Sequence, residues 1–169
     1  MTPQQKSALE TLLGDVMTPE QEAAIGPLVD VRNDTAVAAA LSVGRMTIVS
    51  HMISERGVRA ALSITDAYAF LEELKSASTA PPAWLSPTLL AMGVPVEQHP
   101  AYADALSSAW RWLTQDAGLD VGAGAVRGML DLIAVGVPTL ETACAAVKSL
   151  AERPAPIHVQ SVSEALNNG

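Results

Sequence analysis

Hydrophobic residues recur along this chain in short runs at helical spacing, and glycine or proline interrupts each run. In the first run, Leu9, Leu12 and Leu13 share one face of a helix, and Gly14 ends it. Isolated helices of this length are marginal in water, so they must be stabilised by packing against one another. The pattern predicts an all-α, loop-rich single domain of about eight short helices.

The same helix start occurs twice near the N-terminus, as Thr2-Pro3-Gln4-Gln5 and as Thr18-Pro19-Glu20-Gln21. In each copy the Thr can cap the helix, the proline occupies the first helical position, and the later Gln completes a capping box. The second helix is expected to stop at Gly26-Pro27, because proline interrupts helices. Ser161 and Glu164 predict another capping box, for the last helix.

One stretch, residues 45–53, does not show a clear helical pattern. Its β-branched residues and alternating positions favour one short extended segment, with a helix as the competing interpretation. Leu119-Asp120-Val121-Gly122 also indicates an extended corner.

Proline-rich breaks divide the chain into three parts that are expected to form one compact unit. These parts are an N-terminal helical part over 1–78, a Pro-rich connector with a short helix over 79–99, and a C-terminal helical part over 100–169.

The composition and charge of the chain disfavour some classes of binding partner. Apolar residues make up 49% of the chain but aromatic residues only 4%, so the core must be built from small and aliphatic side chains. The net charge is −8, and the densest basic cluster, Arg45, Arg56 and Arg59, contains Glu55 as well. Nucleic acids and anionic membrane surfaces both require a basic surface. Neither partner is expected, and neither a signal peptide nor a membrane span is expected.

Few residues form a pattern typical of catalysis or metal binding. His51 and Glu55 would share one face of a helix, but the local sequence lacks a further ligand of matching geometry. Cys144, the only cysteine, lies among alanines, which predicts a packed helical side chain and not a nucleophile. The glycines in residues 122–128 follow no strand-length apolar run, so they predict a tight turn and close helix contact. We therefore predict no catalytic residue, no metal site and no cofactor.

Tryptophan supplies most of the candidate partner contacts. Trp110 and Trp112 are two residues apart, about 200° around a helix, so they cannot both face one core. Trp84 follows Pro81-Pro82. Each tryptophan is either a local core anchor or a contact with another chain, where tryptophan is over-represented. Arg45, Trp84 and Trp112 are the predicted partner-binding residues.

Two stretches of the chain share their apolar spacing and turns with a group of viral proteins. The first is Pro27-Leu28-Val29-Asp30-Val31-Arg32-Asn33-Asp34, continuing through 40–45. The second consists of 112–113, 119–122, 126–131, 137–139 and 146–156. In both stretches the chain resembles small helical proteins of tailed bacteriophages, which tend to be encoded near virion structural genes. Residues 80–99 depart from that pattern.

This resemblance implies a virion or tail-associated structural component, with no catalytic residues to carry over. The predicted function is a non-enzymatic adaptor that binds other phage structural proteins, in many copies, in a virion assembled in the bacterial host cytoplasm. Two alternatives stay open. One is an assembly chaperone or scaffold that the virion does not retain, and the other is a small helical enzyme using scattered acids and His51.

Overall fold

The computed structural model describes residues 1–115 and 117–168, and most of them are helical. Ten α-helices lie in these ranges, more than the eight or so predicted. Several have only seven to nine residues, which is too short for apolar periodicity to define each one. Four strands of two or three residues form two small two-stranded sheets. The all-α prediction is therefore confirmed in its coarse form.

The chain divides into two compact units, the first formed by residues 1–47 with those from Arg153 onwards, and the second by Ile48–Glu152. These units do not coincide with the expected divisions near residues 78 and 99. The Pro-rich connector over 79–99 lies inside the second unit, because its leucines Leu85 and Leu89 are buried in that unit's core. Both ends of the chain contribute to the first unit.

Unit one consists of four helices: α1 (Pro3–Leu13), α2 (Pro19–Asp30), α3 (Asp34–Ser42) and α10 (Val159–Asn168). Helix α1 packs against α10, which also contacts α3, and α3 packs against α2. Their shared core contains only aliphatic side chains and methionine: Leu9, Met17, Ile25, Val29, Val37, Ala38, Leu41, Val162 and Leu166.

The doubled helix start is confirmed at both sites. The Thr2 hydroxyl accepts the Gln5 N–H while the Gln5 side chain accepts the Thr2 N–H, and Thr18 and Gln21 repeat the exchange. Each exchange satisfies two backbone donors that the first turn leaves unpaired.

Two expected helix boundaries in unit one are wrong. Helix α2 runs through Pro27, because Ile25 and Val29, one turn apart, are both buried. This burial offsets the hydrogen bond that proline removes. Helix α10 begins at Val159, so Ser161 lies inside the helix, and the Glu164 carboxylate accepts from the Gln160 side chain instead of forming a capping box.

The described residues of unit two, 48–115 and 117–152, form six helices and two single-turn 3-10 helices. The helices are α4 (Glu55–Ala61), α5 (Ile64–Ala77), α6 (Leu85–Ala91), α7 (His99–Leu113), α8 (Gly124–Gly136) and α9 (Glu141–Ser149). The 3-10 turns are Val96–Gln98 and Pro138–Leu140. Helix α5 buries Phe70, Leu71 and Leu74 and packs against α4, α7 and α9, so it lies at the centre of this unit's core.

The stretch over 45–53 is extended and not helical. It contains β1 (Met46–Ile48), which forms a sheet with β4 (Glu152–Pro154). It also contains β2 (Met52–Ile53), which pairs antiparallel with β3 (Leu119–Asp120), the predicted extended corner. A Cβ on Gly122 would lie 2.0 Å from the Val49 carbonyl oxygen, so glycine permits this close approach of backbones. Among the described helices, none is both long and apolar enough to cross a membrane.

Trp84, at the start of α6, contacts two other helices of unit two, α5 and α8. Its indole Nε1–H donates to Glu73 Oε1 on α5 at 2.7 Å. Its ring lies so close to the end of α8 that a Cβ on Gly136 would be 2.1 Å from the Trp84 Cε3 atom. Trp84 is half-buried and packs against the core, so it acts as a local anchor within this unit.

The contact between Trp84 and Gly136 yields a stability prediction. Gly136→Ala should lower the free energy of unfolding by about 1–3 kcal/mol, because the indole must move to admit a methyl group. Gly128→Ala, in the interior of the same helix, is the matched control, since a Cβ at Gly128 meets no atom within 4 Å. That variant should be up to about 1 kcal/mol more stable than the parent. Urea unfolding followed by circular dichroism measures both, and equal effects would contradict this account of the Trp84 contact.

Candidate functional site

An open apolar groove lies in unit two where α6, α7 and α8 meet. Its volume is about 480 Å³. Ten residues line it: Leu89, Met92, Val94, Ala101, Tyr102, Ala105, Ala125, Gly128, Met129 and Leu132. Among these side chains, the Tyr102 hydroxyl is the only conventional hydrogen-bonding group.

Small residues create the groove. Helix α7 presents Ala101 and Ala105, one turn apart, and α8 presents Ala125 and Gly128. All four are exposed, and nothing lies within 4 Å of the Cβ position of Gly128. Larger side chains at these positions would occupy this space themselves. Apart from the Tyr102 hydroxyl, the lining presents no polar side chain, so the groove is suited to binding apolar groups.

Apolar side chains are also exposed along the same helices. Met92 in the groove wall is 56% exposed, and Val135, seven residues after Gly128 on α8, is 60% exposed. Trp112 is 42% exposed and lies eleven residues after Ala101, which is about three helical turns and therefore the same side of α7. On α7, Ser108 lies between Ala105 and Trp112 and accepts from the Arg111 guanidinium at 3.2 Å, so a polar group separates Trp112 from the groove.

The structure does not bring the three predicted contact residues together as one set. Arg45 belongs to unit one, where its guanidinium donates to the Leu13 carbonyl at 2.8 Å. Trp84 is engaged with Glu73 and Gly136, as described above. Of the three, only Trp112 is exposed, to 42%, on a helix that lines the groove.

The structure does not bring His51 and Glu55 together as a pair of metal ligands. His51 and Glu55 do not share a helix, since His51 precedes β2 and Glu55 begins α4, where it pairs with Arg59 at 2.7 Å. No group of three or more His, Cys, Asp or Glu residues within 1–115 and 117–168 could hold a metal ion.

Asp120 holds the loop before β2 against the loop after β3. Its carboxylate accepts the backbone N–H groups of His51 and Gly122, both at 2.9 Å, and the Ser50 hydroxyl at 2.8 Å. The His51 N–H makes the largest contribution to lowering the pKa of the Asp120 carboxyl, and the Ser50 hydroxyl the next largest. Asp120 is therefore an acceptor that joins two loops.

Cys144 is buried in the core of unit two, on α9. Burial raises the pKa of its thiol to about 12, and the charge of Asp131 adds to this while Lys148 opposes it. A thiol with this pKa contributes little thiolate at neutral pH, which is the form that attacks electrophiles.

Sequence reasoning did not find the groove. Helical spacing places Tyr102 on one stripe with Leu106, Trp110 and Leu113, and the side chain is 37% exposed and lines the groove. The glycines in residues 122–128 predict close helix contact, whereas a Cβ at Gly128 would meet no atom within 4 Å. The available signal was the placement of small residues at Ala101, Ala105 and Gly128, but that signal is equally typical of tight helix packing.

Comparisons with known proteins add no relative. No family model matches the chain, and neither a curated protein nor a solved structure matches it.

The bonds of Asp120 predict a pH dependence of stability. Its pKa is lower in the folded than in the unfolded chain, so its stabilising contribution is present above the unfolded value near pH 4 and is lost as the pH falls through the folded value. Asp120→Asn should therefore destabilise the protein more at about pH 7 than at about pH 3. Urea unfolding of both proteins at the two pH values provides the test, and a difference that grows in acid would contradict it.

The burial of Cys144 predicts that its thiol does not react in the folded protein. The folded protein at about pH 8 should leave Ellman's reagent unreacted over the time in which guanidinium-unfolded protein reacts completely. The unfolded sample serves as the control for total thiol. Equal rates in the two samples would show that Cys144 is accessible and ionised.

Proposed function

We propose that this protein is a non-enzymatic binding subunit of a tailed-bacteriophage particle, made in the host cytoplasm and present in many copies. In this proposal it docks on another structural protein of the virion through the apolar groove of unit two. The observation that carries the proposal is the lining of the groove, in which ten apolar or small residues surround an open space of about 480 Å³.

Physical chemistry favours binding at this surface. Each Å² of apolar surface removed from water contributes about 25 cal/mol, from which the cost of association is subtracted. Methionines in its wall, Met92 and Met129, are flexible and polarisable, so they adapt to the shape of an inserted side chain. A partner that inserts apolar side chains over Gly128 would fill the space that glycine leaves.

The assignment to a phage particle is supported by the resemblance of residues 27–45 and of the C-terminal stretches from Trp112 onwards to small virion-associated helical proteins. Trp112 lies in one of these stretches and also on the exposed side of α7. Residues 27–45 belong to unit one, while Trp112 and most of the C-terminal stretches belong to unit two, which also contains the groove.

The functional test is to block the groove. Gly128→Leu should place an isobutyl group in the open space and lower the yield of phage structural proteins that co-purify with the tagged chain, by at least about tenfold. The proteins to co-express are those encoded next to this chain. Gly124→Leu is the matched control. Gly124 is the first residue of α8, and like Gly128 it has no atom within 4 Å of its Cβ position, but it does not line the groove. It should co-purify like the parent.

The two variants must first give the same far-ultraviolet circular dichroism as the parent. Unchanged co-purification by Gly128→Leu would contradict docking through the groove. Mass spectrometry of purified virions then distinguishes a retained subunit from an assembly chaperone, which would bind the same proteins but be absent from the particle.

A further inference from the structure

The charges beside the groove indicate which chemical class of partner it accepts. The chain from Ser76 to Trp110 contains no lysine or arginine, yet it supplies α6 and most of α7. The same stretch contains two acids, Glu97 in the 3-10 turn before α7 and Asp104 on α7 itself. Within this stretch, both formal charges are therefore negative, and the next base along the chain is Arg111 near the end of α7.

Both acids lie next to residues that line the groove. Asp104 is three residues after Ala101 and adjacent to Ala105, so its side chain flanks the lining face of α7. Glu97 lies between Val94 and Ala101, which also line the groove. Both acids are exposed, and neither has an ion-pair partner among the described residues.

The bases on the opposite side are already paired. On α8, Arg127 donates to Glu152 Oε1 at 2.8 Å and to the Lys148 carbonyl at 2.9 Å. Lys148 in turn pairs with Asp131 on α8, whose side chain remains 59% exposed. Neither of these two bases is free to offset Glu97 and Asp104. Arg111, in the last turn of α7, donates to Ser108 Oγ at 3.2 Å and lies beyond the residues of α7 that line the groove.

From this arrangement we propose that the groove accepts a basic amphipathic helix of a partner protein. Apolar residues at i, i+3, i+4 and i+7 of that helix would enter the groove, and lysines or arginines beside them would face Glu97 and Asp104. This inference rests on the proposed docking function and adds the partner's charge. A second copy of this chain is disfavoured as the occupant, since two acidic rims and two chains of net charge −8 would repel each other.

The test uses three fluorescein-labelled synthetic peptides of about 18 residues, long enough to form a helix. One has an apolar face and lysines elsewhere, the second has the same apolar face with glutamates, and the third is the lysine peptide with its order scrambled. Fluorescence anisotropy with the full chain measures each Kd at low and at moderate salt.

The amphipathic lysine peptide should bind with a Kd below about 100 µM and at least about tenfold more tightly than either other peptide. Its Kd should rise with salt, because the attraction is partly electrostatic and exposed. Gly128→Leu should weaken its binding at least about tenfold, while Gly124→Leu should not. The double variant Glu97→Lys with Asp104→Lys should reverse the preference towards the glutamate peptide.

Four outcomes overturn this inference, and they are distinguishable. Equal binding of the lysine and glutamate peptides, both lost in Gly128→Leu, removes the charge preference but leaves the docking groove in place. If the scrambled peptide binds as tightly as the amphipathic lysine peptide, the protein is attracted to net positive charge alone. A Kd above about 100 µM for the amphipathic lysine peptide, or a Gly128-dependent dimer in light scattering, excludes a basic helix as the occupant.

Discussion

Burial of aliphatic side chains between very short helices is the interaction on which the whole structure depends. Helices of seven to fifteen residues do not persist alone in water, so each one here exists because a neighbour covers its apolar face. In unit two the central helix α5 buries Phe70, Leu71 and Leu74 against three other helices. In unit one, segments from both ends of the chain complete a separate aliphatic core. Neither core relies on metal ligands or disulfides among the described residues.

Small side chains have two opposite consequences in this arrangement. At the end of α8 the absence of a side chain on Gly136 lets the Trp84 indole lie directly against the helix. At Ala101, Ala105 and Gly128 the absence of large side chains leaves a space that no neighbouring element fills. The same residue types that permit close packing in one place therefore form an open groove in another. Which consequence follows is decided by whether another element of the chain reaches the position.

This dependence on distant elements explains which features could be predicted from sequence. The capping boxes at Thr2 and Thr18 were predictable, because all the participating groups lie within four residues. The continuation of α2 through Pro27 was not, since it depends on the burial of Ile25 and Val29 by other helices. The groove requires α6, α7 and α8 to meet, and its residues are spread over 89–132. Apolar periodicity predicts which face of a single helix is buried. It does not predict the space left where three helices meet.

The distribution of charge links stability to recognition in unit two. Arg127 on α8 donates to the Lys148 carbonyl on α9 and to Glu152, and Lys148 pairs with Asp131 on α8. Both bases therefore hold elements of unit two together. Glu97 and Asp104 have no such structural role, and as exposed charges they contribute little to folding. Arg127 and Lys148 are paired with acids, whereas Glu97 and Asp104 have no ion-pair partner among the described residues. These two carboxylates therefore carry the unpaired charge nearest the groove lining, with Arg111 further along α7. An apolar groove bordered in this way distinguishes its partners by charge, since an acidic partner would have to bring its own carboxylates close to these two.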